Sequence, residues 1–374
     1  MPIKVMPVFG TRPEAIKLAP VIKELERRPD EFDLVITVTA QHRQMLDQVL
    51  RLFDITPDHD LDVMKPEQTV FEVTARVLLG LEPVLRQEMP DVVLVQGDTT
   101  TVMAAALAAF YLKIPVAHVE AGLRSYDKFQ PFPEEINRRV VSHVGDWHFP
   151  PTPAARENLL REGIADERIT VTGNTVIDAL LATVNPSYVF DHPVLGAMDF
   201  KRRRVILATT HRRENWGQPL RDICHAIRAL VEKHADVEVV YAVHLNPQVQ
   251  RVVKAELADL PRVHLLEPLD YEPFVQLMSR AHFILTDSGG VQEEAPSLNK
   301  PVLVLRNVTE RPEGAHAGTL KLVGTDREAI FREAERLLTD PVEYQRMASA
   351  PNPYGDGQAS RRIADVLARL KPRE

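Results

Sequence analysis

Residues 3–25 read IKVMPVFGTRPEAIKLAPVIKEL. Ile3–Val8 is a short apolar run of strand length, and Leu18, Val21, Ile22 and Leu25 then fall on one helical face at i, i+3, i+4, i+7. Between them Gly10 permits close backbone approach, Pro13 suits a first helical position, and Arg12 and Lys17 add positive charge near the helix start. The turn reads either as an anion-binding arrangement or as an ordinary connection between a strand and a helix.

The same strand–helix unit recurs along the chain. Ile3–Val8, Leu34–Val38, Val92–Val95, Val116–Val119 and Ile169–Val171 make one series of expected strands. Val205–Leu207, Val237–Val243, Val263–Leu266, Phe283–Leu285 and Val302–Leu305 make a second, separated by helix-period segments such as Leu220–Lys233 and Val249–Leu257. Alternation this regular predicts an α/β protein with parallel sheets covered by helices on both faces. At roughly 150 residues per domain, a chain of 374 residues is expected to form two. The rhythm breaks once, at NPSYVFDHPVLGAMDFKRRR before residue 205, which reads as the crossing between domains, its basic end as a solvated lead-in to the next strand. The expectation is two Rossmann-like, doubly wound domains facing a central cleft: residues 1–172, completed by a C-terminal helix over 361–374, and residues 173–360. Ligands of such sheets bind beyond the carboxyl ends of the strands.

Composition narrows the functional classes. Apolar residues make up 44% and charged residues 26%, which suits a folded globular protein. A net charge of −8 without like-charge blocks argues against wrapping nucleic acid, which needs a basic stripe. Cys224 is the only cysteine, so no intramolecular disulfide or multi-cysteine zinc site is expected. The longest apolar stretch, Thr99–Leu112, is too short to span a bilayer, and the N-terminus lacks the plan of a secretion signal. A cytoplasmic protein without membrane contact is the expectation.

The chemistry-bearing residues stand at strand ends. Val92–Val95 runs into Gln96-Gly97-Asp98, where Asp98 is either an acid of a site or the N-cap of the alanine-rich helix that follows. Val116–Val119 runs into Glu120, with Arg124 as its structural partner if it has no chemical role. Pro131-Phe132-Pro133-Glu134-Glu135 is a rigid helix entry with two acids in the first turn, which would also suit the helix dipole. In the second half, His211, Arg212 and Arg213 form a cationic cluster, and Ser288-Gly289-Gly290 opens a helix as a diphosphate cradle with Glu294 placed to bind a ribose diol. Phe274 is either a wall of a base pocket or core. The G-x-G-x-x-G, P-loop and Tyr-x-x-x-Lys patterns are absent, which disfavours a tightly bound nicotinamide; so are H-E-x-x-H and G-x-S-x-G, and no metal site is expected.

These stretches, together with TAQHRQMLDQVL, TGNTVIDAL, VHLNP, TERPEG, AGTLKLVGTD and NPYGDGQAS, resemble the non-hydrolysing bacterial UDP-N-acetylglucosamine 2-epimerases over nearly the whole chain. The resemblance implies the GT-B-like architecture, a last helix near Arg361–Leu370 that packs on the N-terminal domain, a homodimer, and no nicotinamide or metal cofactor. It implies reversible inversion at C2 of UDP-N-acetylglucosamine to give UDP-N-acetylmannosamine. Asp98, Glu120, Glu134 and His211 match catalytic positions of the family. Arg12, Lys17, Asp98, Glu120, His211, Leu269, Phe274, Ser288, Gly289, Gly290, Glu294 and Arg311 match substrate-contacting positions, Leu269 through its backbone. Some relatives bind a second substrate molecule as activator near the positions of Gln41, Gln44, Gln68 and His244; activated relatives carry an arginine where this chain has Glu67.

The C2 proton of the sugar is not adjacent to a carbonyl, so simple deprotonation is too costly. The family's route expels UDP across C1–C2 to leave 2-acetamidoglucal, then adds UDP back after protonation on the other face. That chemistry asks for tuned acids around C2 and cations at the diphosphate, where charge grows as the C1–O bond breaks. A GT-B glycosyltransferase, a hydrolysing epimerase and a nucleotide-sugar sensor are the competing readings.

Overall fold

The computed structural model describes residues 1–40, 43–65, 68–309 and 311–373, the side chains of Arg43 and Gln44 excepted. The chain forms two compact units, Met1–Ala182 with Tyr354–Glu374, and Thr183–Pro353.

The first unit carries β1 (Ile3–Phe9), β2 (Phe32–Leu34), β3 (Thr37–Val38), β4 (His59–Asp60), β5 (Val92–Gln96), β6 (Val116–Val119) and β7 (Trp147–Phe149). All pair in parallel in the order β4-β3-β1-β5-β6-β7, with β2 also on β1. The expected strand Leu34–Val38 is split, because the Ile36 N–H goes to the Asp58 carboxylate at 2.7 Å instead of to β1. β2 pairs the first half of β1 and β3 the second. The expected strand Ile169–Val171 is reduced to one bridge, His148 with Ile169.

The second unit carries β8 (Arg204–Thr210), β9 (Val237–Val243), β10 (Val263–Leu266), β11 (Phe283–Thr286), β12 (Val302–Val304) and β13 (Leu320–Leu322), in the order β10-β9-β8-β11-β12-β13. With β2 and β3 counted as halves of one strand, both sheets have the doubly wound order 3-2-1-4-5-6. Each sheet therefore has one switch point, between β1 and β5 in the first unit and between β8 and β11 in the second. The order alone directs attention to the residues that follow these four strands.

The opening helix shows how the pattern becomes packing. Thr11 stands at the N-cap of Arg12–Glu26 with its N–H on the Glu14 carboxylate, Pro13 enters near the helix start, and Leu18, Val21, Ile22 and Leu25 are fully buried, each burial stabilising by about 1.5–3 kcal/mol. Part of what buries this helix comes from the far end of the chain: Ala359–Leu367 packs against it, with Arg28 paired to Asp365 at 2.7 Å. The helix Thr175–Thr183 lies past the expected division at residue 172, yet it stays with the first unit through Asp178. That buried carboxylate accepts the backbone N–H groups of Ala359 and Ser360 at 3.2 and 2.8 Å, so it caps the C-terminal helix across the fold. The second unit's core gathers the inner faces of β8, β9 and β11 around Gln218–Lys233 and Arg327–Thr339, and includes the lone cysteine, Cys224, whose thiol burial pushes up to about 12. Among the described residues no helix is long and apolar enough to cross a membrane.

Candidate active site

At the first switch point, Glu14 occupies the turn. Its buried carboxylate accepts the N–H groups of Gly10 (3.0 Å) and Thr11 (2.7 Å) and the hydroxyl of Thr99 (2.7 Å). Burial holds its pKa above the usual value although these bonds act against it. The backbone cradle that the glycine turn suggested is thus already filled from within. What this turn presents instead is cationic side chains, the half-buried Arg12 and Lys17, the latter paired with Glu120.

Glu120 follows β6 directly and sits at φ +63, a left-handed conformation that costs a non-glycine residue on the order of 1–3 kcal/mol. Its partner is Lys17; the alternative, Arg124, is fully buried and forks onto Glu162 at 2.8 and 2.6 Å. Asp98 is not the cap of the next helix, a role Thr99 takes by accepting the Val102 N–H. The Asp98 carboxylate, about a quarter exposed, is instead paired with Arg138.

The helix Glu134–Val144 arranges this corner. Its first turn carries two adjacent acids with different surroundings. Glu135 is fully buried and accepts the backbone N–H groups of Ser125 and Tyr126 together with Arg138 and Arg139. Burial alone would raise its pKa, but the Ser125 N–H and the Arg138 charge outweigh it and hold the carboxyl below its ordinary value. Glu134, by contrast, has a buried Oε2 with no hydrogen-bond partner among the described residues. Asn137 Nδ2 donates to Asp98 O at 2.9 Å, so the same helix holds the Asp98 main chain.

At the second switch point, between β8 and β11, His211 follows β8 and Asp287 follows β11. Asp287 is fully buried and accepts from the His211 N–H (3.0 Å), the Arg212 N–H (3.0 Å) and Asn215 Nδ2 (2.9 Å). Its carboxylate also meets His211 Nδ1 at 3.1 Å. Burial pushes the Asp287 pKa up, and the His211 side chain and these N–H groups more than reverse it, so the group is held ionised. An anchored acid that fixes one imidazole nitrogen leaves the other, on a ring still about 42% exposed, to face outward.

The Ser288-Gly289-Gly290 turn opens the helix Gly289–Glu294. The Ser288 N–H is engaged by Thr286 Oγ1 at 3.0 Å. Arg311 lies directly over Gly289, where an added Cβ would come within 2.6 Å of its guanidinium carbon, and it pairs with Glu293 at 2.6 Å. Glu294 accepts the Tyr271 hydroxyl at 3.0 Å. Phe274 is half-buried, and Leu269 lines an open groove of about 610 Å³ with Tyr188, Phe190 and Pro273.

Asp98, Glu120 and Glu134 thus belong to the first unit with Arg12 and Lys17: Asp98 and Glu120 follow the paired strands β5 and β6, Lys17 holds Glu120, and Glu134 stands on the helix whose Arg138 holds Asp98. His211, Ser288, Gly289, Gly290, Glu294 and Arg311 belong to the second. Gln41 and Glu67 lie outside the described residues, and Gln44 is described only in its backbone. Gln68 accepts the Lys65 N–H at 3.1 Å in the first unit, and His244 is exposed in the second, its Nδ1 accepting the Asn246 N–H. Arg138, Asp287 and Tyr271 escaped the sequence reading. A signal existed for Arg138, which stands three residues after Glu135 on one helix, and for Asp287, which ends a buried strand. Among the described residues no three His, Cys, Asp or Glu side chains are grouped to hold a metal ion.

A family model described as UDP-N-acetylglucosamine 2-epimerase matches residues 23–368. The UDP-N-acetylglucosamine 2-epimerase of Bacillus subtilis strain 168 is 56% identical over 365 residues, covering 98% of this chain and 95% of the relative. That of Escherichia coli O157:H7 is 53% identical over 374 residues, covering 98% of each chain. The crystal structure of UDP-GlcNAc 2-epimerase from Neisseria meningitidis, bound to UDP-GlcNAc, matches with a TM-score of 0.87 at 48% identity, over 98% of this chain and 100% of that one.

Proposed function

The chain belongs to the UDP-N-acetylglucosamine 2-epimerase family, and from that premise we propose that it interconverts UDP-N-acetylglucosamine and UDP-N-acetylmannosamine by eliminating and re-adding UDP. The C2–H bond gives its electron pair to a new C1–C2 double bond while the C1–O bond breaks toward the diphosphate. The products are UDP and 2-acetamidoglucal, and the proton passes to a carboxylate. Re-addition after protonation on the opposite face returns the C2 epimer with no net redox change.

The observation that carries this reading is the set of three carboxylates of the first unit, two at the ends of the paired strands β5 and β6 and one on the helix that holds Asp98, each in a different state. Asp98 is held by an arginine, Glu120, on a left-handed backbone, by a lysine, and Glu134 has a buried oxygen without a hydrogen-bond partner among the described residues. A reaction that takes a proton from one face and returns it to the other calls for more than one acid–base group in dissimilar surroundings. In the second unit His211, oriented by Asp287, and Arg311, seated on Gly289, supply donors and charge for a departing diphosphate. Glu294 would take the ribose hydroxyls, with Leu269 and Phe274 flanking the base.

The purified protein is incubated with UDP-N-acetylglucosamine alone, without acceptor, and UDP, free sugar and both UDP-sugars are separated over time. UDP-N-acetylmannosamine rising to a plateau that is also reached from the mannosamine side is the expected result. UDP accompanied by free N-acetylmannosamine would replace this function with the hydrolysing one, and unchanged substrate would overturn it.

A homodimer belongs to the same reading. The first unit's helices Val70–Glu88 and Thr100–Tyr111 leave Phe71, Leu79, Phe110 and Tyr111 at 87, 71, 54 and 68% exposure. Of these, Leu79 and Tyr111 line one hollow together with Leu78, Ala108 and Leu112, and the Glu82–Arg86 ion pair lines it too. Contiguous exposed apolar surface rimmed by charge is what a second copy of the chain would cover.

A further inference from the structure

We propose that Arg138, oriented by Glu135, is a positioning residue that fixes the Asp98 carboxylate for proton transfer at C2; the inference rests on the epimerase reading of the same site. The guanidinium is engaged on two sides. Nη1 donates to Glu135 Oε2 at 3.0 Å and Nη2 to Asp98 Oδ2, and the side chain is only 12% exposed. Both its ends are therefore committed to carboxylates, which leaves it poorly placed to bind a phosphate itself.

Glu135 is the fixed end of the chain. Four donors hold it, two of them backbone N–H groups of the loop before the helix, so its position does not depend on Arg138 alone. Asp98 is the working end. Its main-chain oxygen is held by Asn137, and the preceding Gly97 carbonyl accepts His118 Nε2–H at 2.7 Å. With the backbone clamped from both sides, the remaining freedom is rotation of the carboxylate, and Arg138 removes it. The fork takes Oδ2, leaving Oδ1 without a hydrogen bond among the described residues. A carboxylate held by one oxygen presents the other in a fixed direction, which is what a proton transfer needs.

A planar fork can serve two carboxylates at a set distance, whereas a lysine offers one compact charge. The adjacent acids of the helix therefore divide the work. Glu135 is consumed in holding Arg138, and Glu134 keeps an unpartnered oxygen.

The test is R138Q, with R138K and R138A beside it, in the epimerisation assay. In R138Q, kcat is expected to fall by about 100-fold while KM stays within about threefold. UDP affinity and melting temperature should stay near those of the wild type. R138K should recover only part of the loss, and guanidinium ion added to R138A should restore activity in a saturable way. E135Q should lower kcat in the same direction by less. An R138Q protein with the wild-type kcat would overturn the proposal. So would a loss that tracks falling melting temperature and UDP affinity and that guanidinium does not reverse. A wild type that never forms UDP-N-acetylmannosamine fails at the underlying function; an active wild type with an indifferent R138Q fails only at Arg138.

Discussion

At the scale of single residues, the two switch points use different means to hold a charged group in place. In the second unit a buried, ionised Asp287 collects three N–H donors and one imidazole, so His211 is aimed by its neighbour. In the first unit the buried arms are Glu135 and Glu14, and the groups they organise sit next to them. Gly289 gives a direct test of the nucleotide side. G289A would push an added Cβ against the Arg311 guanidinium, the far end of a flexible side chain, so the fold should survive while the cation is displaced. UDP affinity is expected to drop about tenfold, equivalent to about 1.4 kcal/mol, with the melting temperature nearly unchanged. Titration calorimetry with UDP reads the first and thermal unfolding the second. At this scale the sequence showed residue types but not pairings. Asp98 and Glu120 were legible as acids at strand ends, yet their partners, Arg138 and Lys17, lie 40 and 103 positions away and depend on which strands are neighbours.

Among the elements, the C-terminal helix is held to the first unit by both ends of a short list of contacts. Ile363, Ala364 and Leu367 are fully buried, and Asp178 caps the helix start from another part of the chain. D178A leaves those two N–H groups without their acceptor and is expected to cost about 1–3 kcal/mol in urea unfolding, with kcat unchanged. This connection also explains a difference between expectation and structure. The expected first division, at residue 172, followed the end of an apolar run, whereas the unit continues to Ala182, a stretch tied to the C-terminal segment by the Asp178 carboxylate, by the Asn174 N–H on Tyr354 O and by Arg362 on Thr172 O. Long β-branched runs such as Val237–Val243 were legible from composition alone. The strands His59–Asp60, Trp147–Phe149 and Leu320–Leu322 were not, being two or three residues long and held by their neighbours' ladders more than by their own propensity.

For the molecule as a whole, buried histidines contribute to a loss of stability in acid. His118 and His148 lie in register on β6 and β7, fully buried, and burial pushes their pKa values down to about 4 and about 3. In the second unit burial takes His282 to about 4. These folded values lie below the unfolded one near 6.5, so the unfolded chain binds more protons in that window and stability is lost as pH falls from about 6.5 toward 4. The slope is up to about 1.4 kcal/mol per pH unit for each histidine. Hydrogen-exchange protection of β6 and β7 around His118 and His148 is therefore expected to fall as pH is lowered from about 6.5 toward 4, and protection that stays constant over that range would contradict the assignment. At the same scale, the proposed dimer is expected to fall to monomers on L79E substitution in sedimentation equilibrium, and a mass unaltered by the substitution would contradict that interface. The proposed epimerisation requires that the C2–H bond of a UDP-sugar be broken. Proton NMR of UDP-N-acetylglucosamine with the protein in D2O, without added metal, nicotinamide or acceptor, tests it most directly. UDP-N-acetylmannosamine carrying deuterium at C2, with little free sugar, is the expected result. Epimer formed with the C2 proton retained, or a spectrum left unchanged by folded, UDP-binding protein, would contradict it.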